Sequence, residues 1–414
     1  MSADRTRRAA EKVVAILREG GFEALMAGGC VRDLLLGRSP KDYDVATNAT
    51  PDQVVAAFHR TEKVGAKFGV VIVRLRGCMI EVATFRSDGD YSDGRHPDSI
   101  RFASAQEDAS RRDFTINGIF LDPVDGSVID YVGGQADLRS GVVRAIGDPA
   151  ARFAEDHLRM LRAVRFAAAL GFDIEPVTLE AIRSQAASIR AISVERIQQE
   201  LERILTSETR RRGWELLADT GLLAHVLPET PWSPAEEAEV ARRLALLPED
   251  ADLTLALAVV LRRFEPRAAG RICRRLRCSN ELEHGVVWLI ENLPRVIDVD
   301  GLELADIKLL MAHGCFQRLT HLLYTECLGR LNTEAPHQRL LSRAARIPAE
   351  QVAPLPLVGG DDLQAMRIPA GPIYQHVLGT VYRAQLNEDL RDRDAGLRLA
   401  REILGSAGYR VTPL

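Results

Sequence analysis

Lysine is nearly missing from this chain. Of its 54 cations only Lys12, Lys41, Lys63, Lys67 and Lys308 are lysines, and the other 49 are arginines. A GC-rich genome accounts for such a bias; the functional alternative is phosphate recognition by guanidinium forks. No run of about 18 apolar residues occurs, so no transmembrane helix is expected. The opening MSADRTRRAAEKVV has basic residues but no apolar stretch behind them, which argues against a secretory signal. The six cysteines, at 30, 78, 273, 278, 315 and 327, include no CxxC pair. A structural zinc site is therefore not expected, and scattered buried thiols fit a reducing, cytoplasmic compartment. A formal net charge of −4 excludes a strongly basic nucleic-acid coat but leaves room for a local basic cleft. There is no internal repeat and no low-complexity segment.

What is present is ordinary globular composition: 414 residues, 46% hydrophobic and 27% charged, enough for two to four domains. The first 145 residues are Gly-rich with β-type runs. Segments 67–77 and 78–86 run apolar around Arg-Gly and predict a hairpin. Segments 101–105 and 114–122 read as further strands, with a polar stretch, SDGDYSDGRHPDS, between them at 87–99. Beyond 145 the pattern is helical almost throughout. Asp148-Pro149 is an N-cap and N1 pair for one helix running to a Gly171 stop. Further helices are expected near 178–187, 193–206, 208–219, 234–246, 252–262, 268–276, 280–291, 303–311, 315–330 and 334–345. After a Pro-rich linker at 352–362, a final helical pair is expected near 371–385 and 391–406.

Three groups of residues carry candidate chemistry. In AGGCVRDLLLGRSPKDYDVAT (27–47), Gly28 and Gly29 lack Cβ atoms, so backbone N–H groups can approach a phosphate. Arg32 follows near a helix start, placed to grip a phosphate oxygen. Asp42 and Asp44 stand at i, i+2, which in a strand puts both carboxylates on one face, as hard divalent cations require. Each piece alone is an ordinary turn; together, about ten residues apart, they point to phosphoryl transfer. Glu81, in CMIEVATFR, either faces solvent or supplies a third carboxylate. Arg111 and Arg112 precede a strand and either neutralise a triphosphate or RNA backbone, or form a solvated pair with Asp113. In EDHLRMLRAVRF (155–166), Asp156, Arg159 and Arg162 form a stripe at three-residue spacing, opposite apolar Phe153, Leu161, Val164 and Ala168. Asp accepts and Arg donates, so a fixed pair can read the Watson–Crick edge of a base. A surface salt bridge is the plainer alternative.

Gly-Gly-x-Val-Arg-Asp with Asp42-x-Asp44, Arg111-Arg112-Asp113-Phe114-Thr115-x-Asn117, and Glu155-Asp156-x-x-Arg159 occur in this order. In this the chain resembles the class II tRNA nucleotidyltransferase and bacterial poly(A) polymerase family. The match is strongest over about 22–205 and resumes in LPLVGGDDLQAMRIPAGPIYQHVLGTVYRAQLNEDL. The resemblance implies an α+β fold. It would have a nucleotidyltransferase head with a mixed, five-stranded sheet (1–145), then an all-α neck (146–207), body (208–350) and tRNA-binding tail (351–414). It implies that Gly29 and Arg32, beside Gly28, contact the nucleotide, and that Asp42, Asp44 and Glu81 hold Mg²⁺. Arg112 would support the triphosphate, Asp156 and Arg159 read the base, and Arg162 and Arg165 line its pocket. The 87–99 loop, with Asp93-Gly94-Arg95, resembles the family's flexible loop for adding the terminal A.

Many family members carry a His-Asp phosphohydrolase pair in the body, after a helix such as LALAVVL. Here that place reads Arg262-Arg263, and no His-Asp dipeptide occurs in the chain. A second, hydrolytic metal site is therefore not expected. The expected partners are the tRNA 3′ end, CTP and ATP, with no membrane and no obligate protein partner. Poly(A) addition, A-only addition and a non-catalytic RNA-binding role remain alternatives. The end at GSAGYRVTPL, without a long basic extension, weighs against the first, and the three intact carboxylates weigh against the last.

Overall fold

A computed structural model describes residues 3–62, 69–89, 100–229 and 231–409. Asp93, Gly94 and Arg95, and most of the 87–99 segment, lie outside these. Packing divides the chain into two compact units: Met1–Ala241 with Arg275–Arg277, and Arg242–Arg274 with Cys278–Leu414.

The first unit is built on a mixed sheet. Its strands are β1 (Ala24–Ala27), β2 (Asp44–Thr47), β3 (Thr61–Glu62), β4 (Val70–Leu75) and β5 (Cys78–Thr84). They are followed by β6 (Arg86–Asp88), β7 (Ile100–Phe102), β8 (Ile119–Leu121) and β9 (Val128–Asp130). Seven of them form one sheet in the order β3-β4-β5-β2-β1-β8-β9, and β6 pairs with β7 separately. Seven strands stand where five were expected. The edges are the two-residue β3 and the three-residue β9, too short to show the period-2 alternation that marks a strand in sequence. The expected hairpin is β4–β5, paired from Val70↔Ala83 to Leu75↔Cys78. It turns at Arg76 and Gly77, both at positive φ (52° and 76°), which suits the tight turns of twisted hairpins. β2 pairs with β5 in parallel, and the other pairs in this sheet are antiparallel. Segment 114–122 is only partly strand: Thr115–Asn117 is a 3₁₀ turn before β8.

Five helices accompany the strands: α1 (Ala3–Glu19), α2 (Gly29–Leu35), α3 (Pro51–Ala57), α4 (Ala105–Ser110) and α5 (Gly134–Ser140); of these only α2, the helix start near Arg32, is expected from the sequence. Two of them begin with capping boxes visible in the sequence, Thr50 with Gln53 and Ser104 with Glu107.

The expected single helix from Pro149 to Leu170 is two. α6 (Pro149–Glu155) starts at Asp148, whose carboxylate accepts the N–H groups of Ala150 and Ala151. α7 (Leu158–Leu170) ends at Gly171, φ 73°. Between them Asp156 is extended, φ −148°. The region beyond 145 is also not wholly helical. β10 (Val142–Val143) pairs in parallel with β11 (Asp173–Ile174), across α6 and α7. α8 (Pro176–Gln185), α9 (Val194–Leu205) and α10 (Arg210–Asp219) follow as expected.

In the second unit, Leu253–Leu261 is apolar on nearly all sides and buried, with Asp252 as its N-cap. It packs with the helices Asn280–Ile297 and Phe316–Glu326, the latter passing into a π turn at Cys327–Leu331. Arg262, in the position where the family resemblance places a His-Asp pair, ion-pairs with buried Glu326 at 3.1 Å. Fully buried Arg243 reaches the same carboxylate at 3.2 Å. Within the Pro-rich 352–362 stretch, 353–359 is a loop between two short helices, Ala349–Val352 and Gly360–Ala365, which take up its ends. The closing helices, Pro372–Leu386 and Arg393–Ser406, share an apolar core with Val358, Leu363 and Met366. Among the described residues no helix is long and apolar enough to cross a membrane.

Candidate active site

A cavity of about 850 Å³ opens in the first unit, and every site residue proposed from the sequence lines it. Its acidic wall comes from the sheet. Asp44 is the first residue of β2, and in the parallel register it stands directly beside Glu81 of β5. Asp42 lies in the bend just before β2. Tyr43 between them is buried, so the alternation that turns Tyr43 inward leaves Asp42 and Asp44 on the cavity side. Burial, then the Glu81 charge and that of Asp42, push the Asp44 carboxyl up to about 6, with Arg112 pulling the other way. Glu81 faces the cavity, and its carboxyl is also raised, first by its partial removal from water in the wall and then by the Asp42 charge. Among the described residues no three His, Cys, Asp or Glu side chains close into a metal cage. The trio is an open shelf of hard oxygen donors whose crowded negative charge is only partly met by protein cations. That donor set fits a divalent cation that would complete its shell with phosphate oxygens.

The Gly-Gly turn forms the adjoining corner. Gly28 adopts φ +72°, and a Cβ there would lie 3.1 Å from Nη1 of Arg112 and 4.0 Å from Oδ2 of Asp44. Backbone, guanidinium and carboxylate therefore meet closely, and the positive φ strains any side chain placed there. Arg32, on α2, donates to Asp33 and to Asn117 Oδ1, each at 2.8 Å. Arg112 donates to Asp108 and to the Asn117 carbonyl, and lies over the Phe120 ring at 5.0 Å. Asp113 is not the partner of the Arg111–Arg112 pair, as the sequence suggested. Asp108 is, while Asp113 accepts from Arg162 at 2.6 and 2.9 Å. Burial alone would raise the Asp113 carboxyl. Arg162, Asn117 and the Phe114 N–H outweigh it and hold the group at about 2.

The third wall is α6–α7 with α9. Asp156 is not on a helical stripe with Arg159 and Arg162, because it occupies the break between α6 and α7. Nor does it pair with Arg159. Arg196 of α9 holds it in a two-pronged ion pair at 2.8 and 3.2 Å, and Arg159 donates to Glu155 and to the Arg152 carbonyl. Arg165 pairs with buried Glu200 at 2.6 Å. The guanidinium groups of Arg32, Arg162 and Arg165 all lie against the Phe166 ring, at 5.2, 5.2 and 4.2 Å. Phe153, Leu161, Val164 and Ala168 are buried, as expected. The anchors Asp108, Arg196, Glu200 and Phe166 were not found from the sequence. Arg196 and Glu200 act across elements, where spacing along the chain carries no sign of them; Asp108 stands at i,i+3 and i,i+4 from Arg111 and Arg112, and Phe166 at i+4 from Arg162, spacings that the sequence reading did not use.

Known proteins resemble this chain along most of its length. The family model described as "Poly A polymerase head domain" matches residues 24–144, and "Probable RNA and SrmB- binding site of polymerase A" matches 171–233. The CCA-adding enzyme of Geobacillus stearothermophilus is 36% identical over 399 residues, 92% of this chain and 93% of that one. That of Lactiplantibacillus plantarum is 33% identical over 419 residues, covering 97% and 98%. The crystal structure of the Bacillus stearothermophilus CCA-adding enzyme in complex with CTP superposes with a TM-score of 0.80 at 30% identity, covering 97% and 98%. The Thermotoga maritima CCA-adding enzyme complexed with tRNA shares the fold, with a TM-score of 0.67 at 23% identity. An acidic shelf, a glycine corner and an arginine-rich wall thus sit in a chain alike along nearly its whole length to these enzymes, and the chain belongs to the CCA-adding family of nucleotidyltransferases.

Proposed function

We propose that this enzyme builds or repairs the 3′-terminal CCA of tRNA from CTP and ATP, releasing pyrophosphate, without a nucleic-acid template. The observation that carries the reading is the convergence of the acidic shelf, the Gly28 corner and the Asp156–Arg159 wall on one cavity. Asp42, Asp44 and Glu81 are the residues that would hold Mg²⁺. Divalent cations bound there supply Lewis-acid activation of a hydroxyl and charge neutralisation of the leaving pyrophosphate. The chain itself positions and stabilises charge. Gly28, Gly29, Arg32 and Arg112 face the triphosphate. Asp156 accepts from the exocyclic amine that cytosine and adenine share, and Arg159 donates to a ring nitrogen or carbonyl. A carboxylate has about four lone-pair sites, so the two bonds from Arg196 and one from the Leu158 N–H leave Asp156 able to accept another. Arg162 and Arg165 line the base pocket against Phe166. The four-part division into head (1–145), neck (146–207), body (208–350) and tRNA-binding tail (351–414), and a cytoplasmic location, belong to the same proposal.

The test is incorporation of labelled CTP and ATP into tRNA ending at the discriminator base, tRNA ending at CC, and an unrelated RNA. CCA addition requires both nucleotides on the first, ATP alone on the second and neither on the third. ATP addition only to the CC end would indicate an A-only enzyme, and long tracts on the unrelated RNA would indicate a poly(A) polymerase.

A further inference from the structure

Asp108 has no role in any motif described above, yet its carboxylate, behind the cavity wall, accepts five hydrogen bonds. It lies on α4 with its side chain 1% exposed, and each of its oxygens serves a different arginine. Oδ1 accepts from Nε and Nη2 of Arg111 at 3.0 and 2.6 Å, and from the backbone N–H of Arg86 at 3.3 Å. Oδ2 accepts from Nε and Nη2 of Arg112 at 3.1 and 2.9 Å. One buried anion therefore orients two guanidinium groups, and both line the cavity. Arg112 is fixed on further sides by the Asn117 carbonyl at 3.2 Å and by the Phe120 ring. Its Nη1 is the atom that a Cβ on Gly28 would meet at 3.1 Å. Two long, flexible side chains are thereby ordered before any ligand arrives, and the entropy of ordering them does not fall on the binding step. Burial alone would raise the Asp108 carboxyl, but the Arg112 and Arg111 charges outweigh it, and the group stays ionised.

We propose that Asp108 is a positioning residue for the nucleotide triphosphate: it holds Arg111 and Arg112 in the orientation that receives phosphate oxygens beside the Gly28 turn. This rests on reading the cavity as the nucleoside triphosphate site. Asp108 touches nothing that distinguishes one base from another, so its removal must affect CTP and ATP alike.

The test is steady-state kinetics of Asp108→Asn in the full chain, with CTP on tRNA ending at the discriminator base and ATP on tRNA ending at CC. Loss of charge-assisted hydrogen bonds predicts about a tenfold rise in KM for both nucleotides, by the same factor. The expected kcat changes little, and preference for CTP over UTP is unaltered. Placed in an Arg111→Ala/Arg112→Ala background, the same substitution adds less than about twofold, because its effect passes through those two side chains. Asp108→Glu restores the charge and recovers part of the loss. An unchanged KM, a rise for one nucleotide only, or full additivity with the Arg111→Ala/Arg112→Ala pair overturns the inference. So does a fall in melting temperature and kcat with KM intact, which marks a purely structural role. Should Asp108→Asn not fold, Asp108→Glu carries the test alone and must still raise both KM values. Calorimetric binding of inorganic tripolyphosphate separates this inference from the functional reading. A wild-type protein that binds tripolyphosphate about tenfold more tightly than the variant, yet adds no nucleotide to tRNA, upholds the inference while the reading fails.

Discussion

Asp44, Gly28 and Arg112 occupy one small volume, and substitutions there separate chemistry from fold. Asp42→Ala or Asp44→Ala removes an oxygen donor from an already crowded anionic wall. Each is expected to abolish incorporation of both nucleotides while the circular dichroism spectrum and melting temperature hold. Near-normal activity in either would remove these residues from the metal site. Gly28→Ala places a Cβ at φ +72° against Arg112, a strain of about 1–2 kcal/mol, and should raise nucleotide KM together with a lower melting temperature. Asp156→Ala is expected to relax selection against UTP and GTP while some incorporation persists, since a base edge that loses its acceptor loses about ten- to a hundredfold in discrimination. Arg159→Ala should weaken CTP and ATP together. Unchanged kcat/KM ratios among the four nucleotides in both variants would take the pair out of the base pocket. The residues proposed to meet substrate were legible in the sequence because their chemistry is local: paired glycines, aspartates at i, i+2, adjacent arginines. Their anchors were not. Arg196 reaches Asp156 from 40 positions away and Asp113 holds Arg162 across 49, pairings that no local spacing shows.

At the level of elements, the helices beyond 145 were legible because a long 3.6-residue apolar period survives inspection, and β10 and β11 were not, because two residues have no period. The break at Asp156 was hidden for a related reason. The apolar face continues from Phe153 to Leu161 across it, so periodicity reads straight through the extended residue. Asp148→Ala removes the cap of α6 and should lower stability by about 1 kcal/mol, measurable by urea unfolding. The Asp113–Arg162 pair ties α7 to the segment before β8, and it makes that tie sensitive to acid. The Asp113 carboxyl is depressed in the folded state to about 2, below its ordinary 3.8. Its contribution is therefore complete above about pH 4 and is lost as pH falls towards 2, amounting to about 2 kcal/mol. Stability measured from pH 5 to 2 should fall through that window, and Asp113→Asn should remove this component of the fall. An unaltered pH profile in the variant would show that the pair does not carry it.

The whole chain divides into a unit that contains the cavity and a unit whose interior holds charge. In the second, Glu326 receives Arg243 and Arg262, so the position expected to differ from the family's hydrolase pair is occupied by an ion pair. Glu326→Ala removes the buried carboxylate that Arg243 and Arg262 share and should cost about 3–5 kcal/mol, read as an earlier transition in denaturant. The purified protein should show no Ni²⁺- or Co²⁺-stimulated hydrolysis of 2′,3′-cyclic nucleotides, and robust turnover would contradict that expectation. The acidic shelf also bears on how the molecule comes to life after synthesis. Asp44 and Glu81 are neighbours through the one parallel pairing in the seven-stranded sheet, while β5 is joined to β4 by a tight local turn. The hairpin can zip early, but β5 must still find β2 across a long stretch of intervening chain. A slip of one residue at that docking step would turn Glu81 to the opposite face and leave a sheet that is well formed yet catalytically silent. In refolding from denaturant, nucleotide incorporation should therefore return later than the far-ultraviolet signal of strand formation, timed by the docking of β5 on β2.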